Sequence, residues 1–303
     1  YKPFKPVVKK DKLFGRGTED MKATIASYIF AVKALKQLGI KPYINLEFSF
    51  TPDEETGGKA GLEWLLKNGF IKADFALGEG FGGDFISYGN KGMVWFEIEV
   101  LGKSCHASQP YRGINSFEEL HKVAEELIRF KKNLSTKKTR FGIKDRLDSS
   151  PTIVLGGVLS GGKKINIVPD KSTFTIDRRL IPEESVEMAK KEIFGILENL
   201  KKRDKNLRFR VKIITSEKPV IVDENESVCR ILAYSIQRVL KRKARFAVMP
   251  GGTDMRFLIK KGIPAVGYSV LGDDRAHSDD EFVYIKSLID TTKVFAIFFM
   301  RLR

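Results

Sequence analysis

Cysteine is scarce in this sequence: 303 residues contain only Cys105 and Cys229, far apart. Two isolated thiols supply neither a disulfide framework nor a CxxC metal or redox motif. The bridge-stapled secreted class is excluded, and a reducing compartment, the cytoplasm, is the default expectation. Long apolar runs are missing as well. The longest, 294–300, is far short of the roughly 20 residues that span a bilayer, so no membrane partner is expected. Low-complexity segments and internal repeats are absent. Acidic charge is in deficit, with 38 Asp and Glu against 54 Lys and Arg and a net charge of +16. The excess bases are scattered in short groups such as Lys131-Lys132 and Lys201-Lys202-Arg203, without interleaved aromatics. That pattern describes a solvated, Lys-rich surface, of the kind heat-adapted proteins carry, and no nucleic-acid partner is expected. Histidine is rare too, at His106, His121 and His277.

What is present is a rhythm of helix and strand that changes in the middle of the chain. In 21–38 the apolar residues Met21, Ile25, Ile29, Val32 and Leu35 fall at helical spacing, and Gly39 and Pro42 end the run. Segment 44–50 alternates apolar and polar residues as a strand does; 61–67 is a short helix and 73–77 a second strand. The rhythm returns with helix 226–241, strand 245–249, short helix 254–260, strand 264–271 and helix 284–302. It predicts an α/β fold with a doubly wound, mostly parallel sheet. Between these stretches the expected order is strand 94–100, helix 116–131, strands 152–159 and 173–179, a helix from Pro182 to 202, and strand 207–213. This βαββαβ order is that of a ferredoxin-like α+β unit. The expected organisation is a discontinuous domain, 1–90 with 217–303, interrupted by a smaller domain, 91–216.

Acidic residues cluster where strands end, the place where open α/β sheets hold ligands. Asp20 precedes a helix, Glu54 and Glu55 follow 44–50, and Glu79 follows 73–77. Singly, each reads more readily as a helix-terminus or turn carboxylate. Together they repel unless a cation or a shared proton lies between them. His277, between a strand and the closing helix, adds an imidazole, and carboxylates with imidazole suit zinc with positions open to water. Neighbouring residues of an extended loop point in different directions, so one of Glu54 and Glu55 can bind metal while the other acts as general base. Arg178 and Arg179 end a strand, and either guanidinium can grip a carboxylate in two parallel hydrogen bonds. Asn166 and the Gly251-Gly252-Thr253 turn are further anion-binding candidates.

The pieces Gly15-Arg-Gly-Thr-Glu-Asp-Met-Lys22, Thr51-Pro-Asp-Glu-Glu-Thr-Gly57, Gly102-Lys-Ser-Cys-His-Ala-Ser108, Asn166-Ile-Val-Pro169, Gly251-Gly-Thr-Asp254 and His277-Ser-Asp-Asp-Glu281 stand in a familiar order. In them the chain resembles, over essentially its whole length, the co-catalytic zinc peptidases and deacylases. That family includes succinyl-diaminopimelate desuccinylase, acetylornithine deacetylase, aminoacylase and several carboxypeptidases. The resemblance implies two zinc ions per subunit, with cobalt or manganese as substitutes. Asp20 would bridge them, Glu55 and His277 would hold one, and Glu79 the other. Glu54 would be the general base. The inserted domain would be a dimerisation lid, and His106 would reach the partner subunit's site to stabilise an oxyanion. Arg178, Asn166, Gly252 and Thr253 would bind the substrate carboxylate, and His121 matches nothing. The implied function is hydrolysis of an amide or peptide bond in an N-acyl amino acid or peptide, beside a free carboxylate, by a homodimer; an amino-acid biosynthetic role goes with some members. The family's first ligand, a His in a His-x-Asp motif, is missing: no His stands before position 106. The family's opening helix and strands are therefore expected to lie outside this chain. The competing expectation is an inactive dimeric binding or scaffold protein with acidic partners.

Overall fold

A computed structural model describes residues 1–302, which divide into two compact units. The first comprises Tyr1–Asn90, Gly142–Lys144 and the chain from Val220 onward; the second comprises Lys91–Phe141 and Asp145–Pro219.

The first unit is built on a mixed sheet. Strand Arg245–Met249 runs parallel to Phe85–Asn90, and Ala265–Gly267 runs parallel to Ala76–Gly78. Phe85–Asn90 also pairs antiparallel with Ala265–Gly267 and with Val220–Ile221. The expected mostly parallel sheet is thus corrected to a mixed one. The difference comes from Phe85–Asn90, which lies at its centre and is buried at all six positions, so it carries no alternation to read. Gly89 is needed there: a Cβ on it would lie 2.3 Å from the Val220 carbonyl oxygen. Helices Ala23–Gln37 and Ile285–Arg301 pack together, with the Tyr28 and Phe295 rings stacked at 4.3 Å.

Segment 44–50 is a second correction. It forms no strand, and no backbone hydrogen bond joins it to the other described residues. Its side chains still alternate between half-buried Ile44 and Leu46 and exposed neighbours, but Phe48 and Phe50 remain exposed. A strand exists only where a neighbour completes its hydrogen bonds, and none lies beside it among the described residues.

A small antiparallel sheet matters most for position. Strands Val7–Lys9, Lys12–Phe14 and Phe282–Tyr284 pair in that order, with Phe14 opposite Phe282. The loop that follows Phe14 and the loop that precedes Phe282 are thereby laid side by side.

The second unit follows strand Gly92–Leu101, helix Ser116–Leu134, strands Thr152–Gly161 and Lys171–Leu180, helix Val186–Arg203 and strand Arg208–Glu217. Its four strands form one antiparallel sheet in the spatial order Thr152–Gly161, Lys171–Leu180, Gly92–Leu101, Arg208–Glu217. Val94, Phe96, Ile98 and Val100 point to one face and are fully buried. Leu120, Val123 and Leu127 of one helix and Ala189, Ile193 and Leu197 of the other join the same core at helical spacing. The second helix begins four residues beyond Pro182 because Ser185 caps it, its Oγ accepting the Met188 N–H at 3.1 Å. No helix of the described residues is long and apolar enough to cross a membrane.

Candidate active site

Asp20 lies in an irregular turn, Thr18–Lys22, ahead of helix Ala23–Gln37, and its peptide bond to Met21 is cis. His277 lies in the loop before Phe282, with φ of 64°, a left-handed conformation that is uncommon outside glycine. Nε2 of His277 is 3.1 Å from Asp20 Oδ2 and 3.7 Å from Glu55 Oε2. One ligand atom from each of the three lies within 4.8 Å of the others. Glu55 comes from the short turn Glu54–Thr56, directly after segment 44–50. The His277 and Glu55 side chains are 61% and 59% exposed, so the trio opens to solvent.

A cavity of about 850 Å³ adjoins the trio. Asp20, Glu54, Glu55, Glu79 and Asp254 stand in its wall together with apolar residues including Leu62 and Leu77 and further charged ones including Lys22, Glu47, Lys72 and Asp74. Burial, helped by Asp254, Glu55 and Asp20 and opposed by Arg256, pushes Glu54 up to about 7. Burial and then Asp20, Glu54, Asp254 and Glu55 push Glu79 to about 8. Asp254 is raised as well, chiefly by burial. Carboxylates so crowded stay ionised together only beside a cation. Two carboxylates and an imidazole converging on one point are a donor set that zinc accepts, so the residues fit the ion. Glu79 shares the cavity but stands outside the converging trio.

The remaining candidates divide between the units. In the first, Thr253 is buried and its Oγ1 donates to Asn90 Oδ1 at 3.3 Å, while Gly252 is exposed beside it. Asn90 Nδ2 in turn donates to the Gly251 carbonyl at 2.9 Å. Arg256 Nη2 donates to the Gly57 carbonyl at 2.6 Å, tying the Glu54–Glu55 turn to this element. Neither Asn90 nor Arg256 stands out in the sequence; only contact across more than 150 positions reveals them.

In the second unit, the Ala107 N–H donates to the Asn166 carbonyl at 3.0 Å, which brings Asn166 beside His106. The Ser108 N–H donates to His106 Nδ1 at 3.2 Å. A backbone amide only donates, so Nδ1 accepts and the neutral ring carries its proton on Nε2. Arg178 is wholly buried; its Nη2 binds Glu184 at 2.7 Å and Glu192 at 3.1 Å, and Nη1 donates to the Arg179 carbonyl. A guanidinium so placed is closed to an incoming carboxylate in this structure. Arg179 is 30% exposed and paired with Asp177. His121 lies on helix Ser116–Leu134, away from every other candidate along the chain.

Comparison with known proteins adds four findings. A family profile described as Peptidase family M20/M25/M40 matches residues 1–301. An uncharacterized metallohydrolase of Methanocaldococcus jannaschii is 31% identical, over 97% of this chain and 74% of its own length. A succinyl-diaminopimelate desuccinylase of Pelagibacter ubique is 28% identical, over 97% of this chain and 76% of its own length. Among solved structures, a tripeptidase from Staphylococcus aureus superposes with a TM-score of 0.76 at 23% identity, covering 97% of this chain and 75% of that one.

Proposed function

We propose, for a chain that belongs to Peptidase family M20/M25/M40, that its reaction is zinc-dependent hydrolysis of an amide or peptide bond in an N-acyl amino acid or peptide, beside a free carboxylate. The observation that carries this reading is the convergence of Asp20, Glu55 and His277 beside Glu54. Asp20, Glu55 and His277 would hold the ion, and Glu79 is the next donor on the same wall. Bound there, zinc supplies Lewis-acid polarisation and acidifies water. Glu54, which burial raises to about 7 in the metal-free protein, accepts in its ionised form the proton of the attacking water. The water oxygen bonds to the scissile carbonyl carbon, the carbon–nitrogen bond breaks, and Glu54 returns the proton to the leaving amine.

The oxyanion needs a donor, and the Nε2–H of His106 is of the right kind. In this reading the second unit is a lid and dimerisation element, and His106 serves the site of a second copy. For the substrate carboxylate, the candidates of the first unit are exposed Gly252 with Thr253, and those of the second are Asn166 and Arg179, Arg178 being enclosed.

Bound zinc per chain, measured by elemental analysis after zinc loading and exhaustive dialysis, tests the reading. About one ion per chain is expected, by the single converged donor set. Glu54→Gln is expected to keep that zinc and lose turnover on a panel of N-acyl amino acids and peptides; retained turnover would remove Glu54 from its role. Asp20→Ala is expected to lose the zinc itself.

A further inference from the structure

We propose that Glu19 and Glu281 form a reciprocal clasp that sets the separation of Asp20 and His277, which makes both positioning residues for the metal site. The functional consequence rests on the hydrolase reading above. Glu281 lies four residues after His277 and is only 3% exposed. Its carboxylate reaches across to the Asp20 turn and accepts the N–H groups of Gly17 at 2.9 Å, Glu19 at 2.7 Å and Asp20 at 3.2 Å, with Arg16 Nη1 at 3.1 Å. Glu19, next to Asp20, reaches the other way and accepts the N–H groups of Asp274 at 3.0 Å and Arg275 at 2.8 Å. Each loop therefore carries one proposed ligand and one carboxylate bonded to the other loop's backbone.

The arrangement answers a gap in the fold. Strand pairing between Lys12–Phe14 and Phe282–Tyr284 stops at Phe14 and Phe282, with one further bond from the Gly15 N–H to the Glu281 carbonyl at 3.1 Å. Beyond that point the loops have no ladder, and the two carboxylates supply five charge-assisted bonds to main-chain N–H groups in its place. Gly272 lies in close quarters between one of them and the strand: a Cβ there would lie 2.5 Å from the Glu19 carboxyl carbon and 2.6 Å from the Phe282 carbonyl oxygen. Both acids are already bonded to main chain, so they act on the metal through ligand placement. Partners of this kind, once lost, reduce metal affinity about 10–100-fold.

Glu281→Gln and Glu19→Gln keep the shape and replace one acceptor oxygen with an amide nitrogen that cannot accept. The metal-free full-length chain would be titrated with zinc against a chromophoric chelator, and the absorption spectrum of the cobalt(II) form recorded. Amide hydrogen exchange would be followed in both loops, and melting temperature measured alongside. Each variant is expected to bind zinc about 10–100-fold more weakly and to shift the cobalt spectrum. Glu281→Gln is expected to speed exchange at Asp274 and Arg275 as well as at Gly17, Glu19 and Asp20. Glu19→Ala, which removes both acceptor oxygens, is expected to reproduce Glu19→Gln, and stays informative should Glu281→Gln fail to fold. Asp279→Asn, at an exposed acid of the same loop, should change none of these readings. A lowered melting temperature with zinc affinity within about twofold of the parent and an unchanged cobalt spectrum would reduce the clasp to loop stability and overturn the proposal. Faster exchange confined to the loop that the altered carboxylate touches would overturn its reciprocity. A parent chain that binds neither metal would sink the hydrolase reading instead, and the exchange arm would still decide the clasp.

Discussion

In the second unit, strand Gly92–Leu101 has a neighbour on each side, and its buried residues Val94, Phe96, Ile98 and Val100 alternate with half-exposed or exposed ones. Segment 44–50 of the first unit carries the same alternation and has no neighbour among the described residues. Period-two patterning states which side chains a strand would bury; it does not make the strand. The second unit is closed on one sheet face, which two amphipathic helices cover, while Val154, Val158 and Leu159 of its edge strand stay exposed. The first leaves apolar groups beside its cavity, including Phe48, 39% exposed, and Phe50, 50% exposed, while Ile29 and Phe30 of its first helix are also uncovered. It is also the unit that gathers the acids.

Truncations measured in urea give the largest contrast. Phe96→Ala removes a fully buried ring from the closed unit and is expected to cost about 3–5 kcal/mol. Phe48→Ala, in the open segment, is expected to cost about 1 kcal/mol or less, because the ring is already partly in water. Equal losses would mean that 44–50 is packed as firmly as a paired strand and would erase the difference between the units.

The second contrast is in pH. Glu54 and Glu79 rise from 4.5 to about 7 and about 8 in the folded first unit, with burial the main cause. A raised carboxylate binds its proton more tightly folded than unfolded, so the metal-free unit loses stability as pH climbs from 4.5 to 8. The loss is expected to be on the order of 5 kcal/mol, mostly from Glu79, with the share of the half-exposed Glu54 discounted for solvent screening. In the second unit the resolved carboxylate shifts run the other way. Hydrogen bonds from Lys122 and Lys171 hold Asp204 and Glu99 below the ordinary range, a contribution kept at neutral pH and lost only in acid. Protection factors of buried amides report the two units separately: Ala247 and Val266 should lose protection toward pH 8, and Ile98 and Ile176 should not. Zinc should flatten the first response, and an unflattened one would separate those acids from the ion.

The same contrast explains what could be read in advance. The second unit was legible almost element by element, because alternation and helical spacing describe a layer with one wet face and one dry face. In the first, Phe85–Asn90 went unseen because a strand buried on both faces shows no period, and 44–50 was read as a strand because its period needs no neighbour to be visible. Asp20, Glu54, Glu55, Glu79 and His277 stand out in the sequence only through motif order. Singly, each passes for a turn or cap carboxylate or a loop histidine. Asn90, Arg256 and the bonding of Glu281 were out of reach, since nothing local marks a side chain whose partner is 150 or more residues away.

The smallest contrast lies at the helix ends. Both long helices of the second unit are closed by their own side chains: Asn115 accepts the Phe117 N–H at 3.0 Å, and Ser185 accepts the Met188 N–H at 3.1 Å. The helices of the first unit, beginning at Ala23, Leu62, Ser227, Met255 and Ile285, have no side-chain cap. A helix start leaves four N–H groups without intrahelical partners, and a cap satisfies one of them. Ser185→Ala is therefore expected to lower stability by about 1 kcal/mol. Glu226→Ala, at the corresponding position before helix Ser227–Leu240, removes no such bond and is expected to stay within about 0.5 kcal/mol. Urea midpoints of the two variants at one pH, with unchanged slopes, make the comparison. A Glu226 loss as large as that at Ser185 would mean the carboxylate acts on its helix through the dipole alone, and local self-sufficiency would no longer separate the two units.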